Sequence, residues 1–468
     1  MLPFPHRDAP RNPVPHDVPR VKLLCAADLH LGRRPSSKVP PDLGVDARDL
    51  GPARAWERLV DDAVREGVDA VLMAGDLVDA SDDVFEAYRA LEAGAATLTA
   101  AGIPLYCVAG NHDGEVLPRL VDAVDGVTLL GRGGTWERAT IEGADGDAVD
   151  VVGWSFPAEH HDGSPFDAPP PAPERRTIGL LHGDRDAAGG RYAPFAARDL
   201  ERVPYDAWLL GHIHVPDPMD GPRPAGYLGS VVGTDPSEPG PRGAWLLRTD
   251  GGGVTLTHRP FAPLRWDRLD LDAAALDAAT PDGGDPGAAF QDAVLRALAD
   301  LEADLAASPH PPDVVGVELH LHGATRHGPA LRAAAAPAEL AKLARTSGRP
   351  RTFVHGVRDT LVPARDLAAL AANDDPAGLL ARHVLTLREG GEAAAALVRR
   401  ARDSLERAQG AARFTRHLPP ADPTDAELAD LLERAAVRAL EGLLAQRDGA
   451  DGAPGGPPGG PPGDGDGR

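Results

Sequence analysis

The sequence predicts an α/β domain built in layers, followed by a small α+β domain and a group of C-terminal helices. From Val21 to about Pro260, short apolar runs alternate with helical patterns, and this alternation is typical of a layered α/β fold. From about Leu264, strands and helices of a smaller α+β unit follow, and the last predicted segments are helical. With 468 residues, the chain is long enough for two or three compact units.

The strands of the first domain are predicted by apolar runs that each end at a polar motif. These runs are Val21–Ala27, Ala70–Ala74, Leu105–Ala109, Thr177–Leu181 and Ala207–Leu210. Short apolar runs bounded in this way are typical of buried strands. We therefore expect these segments to form the interior of the domain.

Helices are predicted between the strands by apolar residues that recur on one face. In Ala53–Glu66 these residues are Trp56, Leu59, Val60, Ala63 and Val64. A second helix, Val84–Ala101, is stopped by Gly102 and Pro104. The proline-dense segment Pro165–Pro173 is predicted to be a surface loop.

The second half of the chain is predicted to begin after the strand Val254–His258. Its elements, in order, are helix Asp285–Leu305, strand Val314–Leu321, helix Ala330–Arg345 and strand Thr352–Val357. A helical region then runs from about Glu392 to Gln446, and Thr424 and Glu427 form a capping box at its last helix. The apolar stripe of that helix consists of Leu428, Leu431, Leu432, Ala435, Leu440, Leu443 and Leu444.

These patterns predict five segments along the chain. They are an N-terminal lead-in at residues 1–20, the layered domain at 21–262, the α+β domain at 263–390, a helical region at 391–446 and a disordered tail at 447–468. The tail is nearly all Gly, Pro, Asp and Ala, a composition that cannot bury an apolar core.

Composition and charge narrow the range of functions. The net charge of −23 argues against a surface that binds nucleic acid with its own Lys and Arg residues. Cys25 and Cys107 lie inside apolar runs, which predicts core residues in a reducing compartment. No segment approaches the roughly 20 apolar residues of a membrane helix, and no apolar signal segment is found at the N-terminus. We therefore expect a cytoplasmic protein without membrane contact.

Polar residues suited to metal binding follow each of the five predicted strands. Asp28 and His30 are two residues apart, so both side chains point to one face of an extended strand end. His212 and His214 have the same spacing. Carboxylate and imidazole groups together suit Mn²⁺, Fe²⁺ or Zn²⁺. The remaining candidate ligands are Asp76, whose two oxygens can bridge two ions, Asn111 and His182.

Two divalent ions about 3.5–4 Å apart suit in-line phosphoryl transfer, because they acidify a bridging water and neutralise charge on the phosphate oxygens. His112, beside Asn111, is predicted to be a catalytic residue that protonates the leaving oxygen. Asp79, three residues after Asp76, is predicted to orient His112. The expected reaction is hydrolysis of a phosphoester.

In order and type, the five motifs resemble the calcineurin-like metallophosphoesterase superfamily across roughly residues 21–260. The resemblance implies a four-layer α/β/β/α sandwich that holds two divalent ions, with Mn²⁺ preferred. It implies that one ion is held by Asp28, His30, Asp76 and His214, and the other by Asp76, Asn111, His182 and His212. It also implies that His112 is catalytic.

The chain is more closely similar to the DNA-repair nuclease branch of this superfamily, the SbcD and YhaO-like proteins. The similarity lies in Asp28–Gly32, Tyr227–Ser230 and Pro236–Glu238, and in Thr360 and Pro363 of the α+β domain, which looks like a capping domain. The branch implies a DNA exonuclease or endonuclease that processes double-strand ends. It also implies an SbcC-like coiled-coil ATPase as partner, and a homodimer.

Several surfaces are candidates for these contacts. Arg33, Arg34 and Lys38 follow the first motif and are candidates for binding DNA phosphates. The helix Glu392–Gln409, or the helix at residues 424–446, is a candidate for docking the ATPase, and Ala53–Glu66 is a candidate dimer surface.

Two alternatives remain open on the sequence. The same two-ion site serves a small-molecule phosphatase or a cyclic-nucleotide phosphodiesterase, although such enzymes rarely need so long a C-terminal half. The other alternative is a metal-stabilised scaffold without turnover, which the presence of His112 and all candidate ligands disfavours.

Overall fold

The computed structural model describes residues 21–79, 84–143, 146–187, 189–280, 283–346, 348–364, 367–409 and 423–451. The predicted lead-in at residues 1–20 lies outside the described residues, as do residues 452–468 of the predicted tail. The chain divides into two compact units, of which the first contains the residues up to 268, 298–318 and 341–356, and the second the rest. Because these units interleave along the chain, the predicted boundaries at residues 262 and 390 stay predictions.

The described residues form strands and helices with the following bounds. The strands are β1 Val21–Ala26, β2 Ala70–Ala74, β3 Leu105–Val108, β4 Val127–Leu129, β5 Trp136–Glu142, β6 Ala148–Trp154, β7 Thr177–His182, β8 Ala207–Gly211, β9 Ala225–Tyr227, β10 Gly243–Thr249, β11 Val254–Pro260, β12 Leu264–Asp272, β13 Val314–Thr325 and β14 Arg351–Pro363. The helices are α1 Pro52–Glu66, α2 Val84–Ala100, α3 Leu117–Val121, α4 Ala197–Arg202, α5 Ala273–Ala279, α6 Pro286–Ala306, α7 Gly328–Ala334, α8 Pro337–Leu340, α9 Leu367–Ala371, α10 Pro376–Glu389, α11 Gly391–Gln409 and α12 Asp425–Asp451.

Two sheets pack face to face in the first unit. The first sheet has the strand order β11-β10-β1-β2-β3-β4, and the second has the order β5-β6-β7-β8-β9. Helices α1 and α2 cover the outer face of the first sheet, and α4 lies on the outer face of the second. This arrangement confirms the predicted four-layer α/β/β/α sandwich. A third sheet has the order β12-β13-β14, and its residues are divided between the two units.

Side chains along β1 alternate between two separate apolar layers. Leu24 and Ala26 pack in the layer beneath α1 and α2, whereas Leu23 and Cys25 pack in the layer between the two sheets. Successive residues of a strand point to opposite faces, so a strand buried on both sides must be apolar throughout. This is why the sequence showed continuous apolar runs, and it also confirms Cys25 as a core residue.

The predicted elements of the first unit agree with the structure to within two residues. Later in the chain, β13 and β14 continue past their predicted ends, to Thr325 and Pro363, and one helix prediction is wrong. The single helix expected over Ala330–Arg345 is broken, because α7 ends at Ala334 and α8 begins at Pro337. Proline has no N–H to donate to the carbonyl four residues earlier, and its ring clashes there. The predicted surface loop at Pro165–Pro173 opens with one 3-10 turn, Pro165–Asp167.

The helices of the second unit pack on one another. An apolar cluster joins α9, α10 and α12 through residues that include Ala381, Val384, Val437 and Leu440. Of the stripe that was a candidate for partner docking, Leu428, Leu440 and Leu444 are buried, whereas Leu431 is 51% exposed. The predicted capping box is confirmed, since Glu427 accepts the Thr424 N–H and Thr424 Oγ1 accepts the Glu427 N–H.

Among the described helices, none is both long enough and apolar enough to cross a bilayer.

Gly179 of β7 provides a test of the packing on the second sheet. A Cβ at this position would overlap the ring of Trp208 on the neighbouring strand. We expect Gly179→Ala to lower the free energy of unfolding by about 1–3 kcal/mol, because an overpacked core must shift. Urea denaturation measures this change. Gly356→Ala is the matched control, since no atom lies within 4 Å of a Cβ on that strand glycine. Equal urea midpoints for the two variants would refute the close packing of Gly179 against Trp208.

Candidate metal centre

The nine site residues predicted from the sequence lie together at the carboxyl ends of β1, β2, β3, β7 and β8. In chain order they are Asp28, His30, Asp76, Asp79, Asn111, His112, His182, His212 and His214. The loop after β1 runs beside the loop after β2, since the Asp28 N–H donates to Gly75 O at 3.1 Å and the His30 N–H to Asp76 O at 2.9 Å. The strands therefore deliver their polar ends to one cluster.

One half of the cluster contains Asp28, His30 and His214. A ligand atom from each lies within 4.8 Å of the other two. The Nε2 atoms of His30 and His214 are 3.2 Å apart. Two imidazole nitrogens directed at the same point are typical of ligands that share one cation.

The other half contains Asn111, His182 and His212. Asn111 Oδ1 lies 3.0 Å from His182 Nε2 and 3.1 Å from His212 Nδ1. The carboxylate of Asp28 also accepts the backbone N–H of His212 at 3.0 Å, which ties the loop after β8 to the loop after β1. An amide oxygen and two imidazole nitrogens thus converge on a second point.

Asp76 lies between the two halves. Its Oδ2 atom is 3.8 Å from His30 Nε2 and 3.4 Å from His182 Nε2. Its Oδ1 atom accepts the backbone N–H of His112 at 2.9 Å. Asp76 is therefore the carboxylate that contacts ligands of both halves.

Burial and charge compete strongly at this cluster. Burial raises the pKa of Asp28. Burial also acts against ionisation of Asp76, but His182 and its other histidine neighbours hold the pKa of Asp76 below its usual value. Burial alone would lower the pKa of His182, yet the carboxylates of Asp76 and Asp28 raise it to about 9. Burial, with His182 nearby, lowers the pKa of His212 to about 4.

The donor set fits divalent cations. Asp28 and Asp76 are almost completely buried, and a buried carboxylate is costly unless a cation compensates it. Their neighbours are imidazoles and one neutral amide, so the first-row ions Mn²⁺, Fe²⁺ and Zn²⁺ all match the oxygen and nitrogen donors.

The backbone of the cluster adopts conformations that L-residues rarely adopt. The φ angles are 50° at Asp28, 51° at His30, 49° at Asp76 and 107° at His212. Such residues cost of the order of 1–3 kcal/mol each and persist where the surrounding structure requires them, often at functional sites. Four of them among the nine residues of this cluster therefore indicate a functional site rather than a set of ordinary turns.

Two glycines allow the loops to approach each other. A Cβ on Gly110 would overlap the Asp76 carboxylate, and one on Gly211 would overlap the carbonyl oxygen of Ala74. Both residues therefore provide space for a close approach, and neither is in the left-handed region.

The side chain of His112 is more exposed to solvent than those of the other histidines in the cluster, with 44% of its surface accessible. Its Nδ1 atom lies 3.7 Å from Asp79 Oδ1, and this carboxylate raises the pKa of His112 although burial opposes the rise. The other oxygen of Asp79 is 3.6 Å from His30 Nδ1. Asp79 therefore lies between His30 and His112, and His112 presents a protonatable group towards solvent.

The sequence analysis assigned no role to Asp113, which directly follows His112. Asp113 is fully buried, and its carboxylate accepts N–H groups from Gly110, Leu77 and Val78 at 2.7–3.2 Å. It therefore joins the loop after β2 to the loop after β3. Burial, followed by the charge of Asp76, raises the pKa of Asp113 to about 7. An acidic residue at the end of the Gly-Asn-His motif was the available signal.

The basic candidates near the site differ in their partners. Arg34 pairs with Glu86 at 3.7 Å. For the Arg33 guanidinium, no hydrogen bond or ion pair is found among the described residues. Tyr227, from the motif of the nuclease branch, is buried and its hydroxyl donates to Gly183 O at 2.9 Å, so it supports the loop after β7.

Residues 21–216 match the family model described as calcineurin-like phosphoesterase. The chain is 28% identical over 262 residues to the uncharacterised metallophosphoesterase YhaO of Bacillus subtilis, covering 53% of this chain and 62% of that protein. It is 30% identical over 272 residues to the DNA double-strand break repair protein Mre11 of Haloferax volcanii, covering 53% and 54%.

Solved structures of low sequence identity also match this chain. A dimetal phosphatase from Danio rerio has 14% identity and a TM-score of 0.35, covering 52% of this chain and 97% of that one. Among the curated relatives, the chain spans 62% of YhaO, 38% of the Mre11 protein of Methanosarcina mazei and 54% of the Mre11 protein of Haloferax volcanii.

The protonation of His182 predicts that cation binding depends on pH. Its raised pKa of about 9 means that His182 carries a proton at pH 7. A divalent cation needs the neutral imidazole, so binding must displace the proton and affinity must rise as pH increases towards 9. Calorimetry of Mn²⁺ binding in buffers of different ionisation enthalpy counts the released protons. Affinity that is constant between pH 7 and 9, with no proton release, would contradict this arrangement.

Asp113→Asn tests the link between the two loops. The amide retains the shape of the side chain but replaces an acceptor with an N–H₂ group, which leaves a backbone N–H unpaired. We expect a loss of about 1–3 kcal/mol in the free energy of unfolding and weaker Mn²⁺ binding, measured by urea denaturation and calorimetry. The control Asp122→Asn removes an exposed carboxylate that pairs with Arg132, and it should change neither. Similar behaviour of the two variants would argue against the link.

Proposed function

Because residues 21–216 form a calcineurin-like metallophosphoesterase domain, we propose that this chain is a phosphodiesterase that uses two divalent ions. We propose that its substrate is DNA, cut as an exonuclease or endonuclease during the processing of double-strand ends. The observation that carries the two-ion proposal is Asp76, one oxygen of which lies within 4 Å of an imidazole nitrogen from each half of the cluster.

The residues of each half would hold one ion. The first ion is assigned to Asp28, His30, Asp76 and His214, and the second to Asp76, Asn111, His182 and His212. When bound, the ions supply Lewis acidity, which lowers the pKa of water and neutralises charge on a phosphate. Mn²⁺ is the ion proposed, and Fe²⁺ and Zn²⁺ also suit the donors.

His112 is proposed as the general acid. Its backbone N–H is fixed by Asp76, and its Nδ1 side faces Asp79, which leaves Nε2 to meet the substrate. The Asp79 carboxylate favours the protonated imidazole, so a proton is available for the leaving oxygen near neutral pH. Asp79 acts through His112 and His30 as a positioning residue.

DNA as substrate is supported by the relatives named as DNA double-strand break repair proteins. The net charge of −23 means that a partner must supply most of the positive charge that DNA binding requires. We therefore include an SbcC-like coiled-coil ATPase and a homodimer in the proposal. For the dimer, the apolar stripe of α1 packs on the first sheet except for Val64, which is exposed, so only the outer face of the helix is available.

A small-molecule phosphatase or cyclic-nucleotide phosphodiesterase is the second candidate. The observation that favours it is the charge balance beside the cluster, where Glu86 pairs with Arg34 and Asp46 pairs with Arg48. Arginines that are already paired with carboxylates bind a polyanion such as DNA weakly. A small phosphoester needs only the ions and His112.

The substrate class is tested with matched assays in Mn²⁺. We expect release of nucleotides or fragments from linear duplex DNA, in the presence of the partner ATPase, at a rate well above the hydrolysis of a 2′,3′-cyclic nucleotide. Hydrolysis of the cyclic nucleotide without any cleavage of DNA would favour the second candidate.

Replacement of His112 tests its role as an acid. We expect His112→Ala to lower kcat on bis-p-nitrophenyl phosphate by about 10²–10⁴-fold, the usual contribution of a general acid, while Mn²⁺ binding measured by calorimetry changes little. His160→Ala, which removes another histidine of the same domain, is the control and should retain full activity. Unchanged hydrolysis by the His112 variant would exclude an acid role.

A further inference from the structure

Each imidazole ligand has an outer nitrogen that faces away from the candidate ions, and the partners of these outer nitrogens differ. His182 Nδ1 lies 3.1 Å from the backbone carbonyl of Ala74. His214 Nδ1 is hydrogen bonded to Glu238 Oε1. His212 Nε2 is 3.4 Å from Asp184 Oδ1. Two histidines that follow the same strand are therefore supported by two different carboxylates.

We propose that Glu238 is a positioning residue for the ion held through His214, and that it makes that ion bind more tightly than the ion held through His212. The inference rests on the proposed two-ion centre. It adds that the two ions differ in affinity, because Glu238 is closer to His214 and more buried than Asp184 is beside His212.

Glu238 is held firmly in place. Its second oxygen accepts the Thr234 N–H at 2.9 Å. The loop that carries Glu238 is also hydrogen bonded to two other segments. The Ser36 N–H donates to Thr234 O at 2.8 Å, and Trp266 Nε1 donates to Gly233 O at 3.0 Å. All these residues belong to the first unit. Glu238 therefore cannot turn away from His214 without breaking its hydrogen bond to the Thr234 N–H, and the segment that offers this N–H is itself held in place.

Asp184 is a weaker partner for His212. Its side chain is 23% exposed, compared with 10% for Glu238, and its distance of 3.4 Å is long for a charged hydrogen bond. Solvent screens an exposed carboxylate more than a buried one. The support for His212 is consequently weaker than the support for His214.

The chemistry of the His214–Glu238 pair depends on which imidazole nitrogen carries the proton. A carboxylate at Nδ1 holds the proton on that nitrogen, so the lone pair of His214 is on Nε2, the atom that faces His30. A carboxylate partner also makes the imidazole a stronger electron donor to a metal. Arg242 is also a charge neighbour of Glu238, but its guanidinium donates hydrogen bonds to the carbonyls of His214 and Pro239.

The test is Mn²⁺ binding by the full chain, measured by calorimetry and by electron paramagnetic resonance. The wild type should bind two ions with unequal affinity. Glu238→Gln retains an oxygen for Thr234 but loses the charge, and we expect it to weaken the tighter ion by about 10–100-fold, the usual effect of such a partner. At a Mn²⁺ concentration that just fills both sites of the wild type, the signal of a coupled ion pair should then be reduced. Asp184→Asn should weaken the other ion by a smaller factor.

A double-variant cycle separates a positioning role from a general structural one. In a His214→Ala background, Glu238→Gln should have no further effect on Mn²⁺ affinity, because its effect passes through His214. Glu137→Gln is the matched control, since that carboxylate accepts a backbone N–H of the same domain away from the site. Affinities of Glu238→Gln within twofold of the wild type, or an equal effect in the His214→Ala background, would overturn the proposal. A wild type that binds no Mn²⁺ would refute the two-ion centre itself.

Discussion

The buried pair of carboxylates, Asp28 and Asp76, is the constraint on which the rest of the site depends. Two negative charges close together in a buried site are unstable unless positive charge is supplied. The histidines around them supply it in part, which explains why His182 holds its proton so strongly. Divalent cations would supply it more fully. The left-handed backbone at both aspartates is maintained because their carboxylates must face this centre.

The sandwich fold provides that centre with a rigid support. Parallel strands buried on both faces end at one edge of each sheet, and the loops that follow are tied together by Asp113 and by backbone hydrogen bonds. The histidine side chains are then supported from behind, by Ala74 for His182 and by Glu238 for His214. The positions of the proposed ligands are thus set by groups one contact further out, and such groups commonly adjust the affinity of a metal site.

The sequence predicted the five strands that end at the cluster and the residues of the cluster, because a doubly buried strand and a polar motif at its end both leave local signals. It did not predict β4, β5, β6, β9, β10 or β12, nor the break at Pro337, where the helical pattern of apolar residues continued through a proline. Contacts between distant segments were also missed. The position of Glu238 behind His214 arises from folding across 24 residues, and no spacing rule encodes it.

Anomalous diffraction from crystals grown with Mn²⁺ can show whether Asp76 lies between two divalent ions. We expect two anomalous peaks, one on the side of His30 and His214 and one on the side of His182 and His212, each adjacent to the Asp76 carboxylate. A single peak away from Asp76, or no peak at the cluster at saturating Mn²⁺, would contradict it.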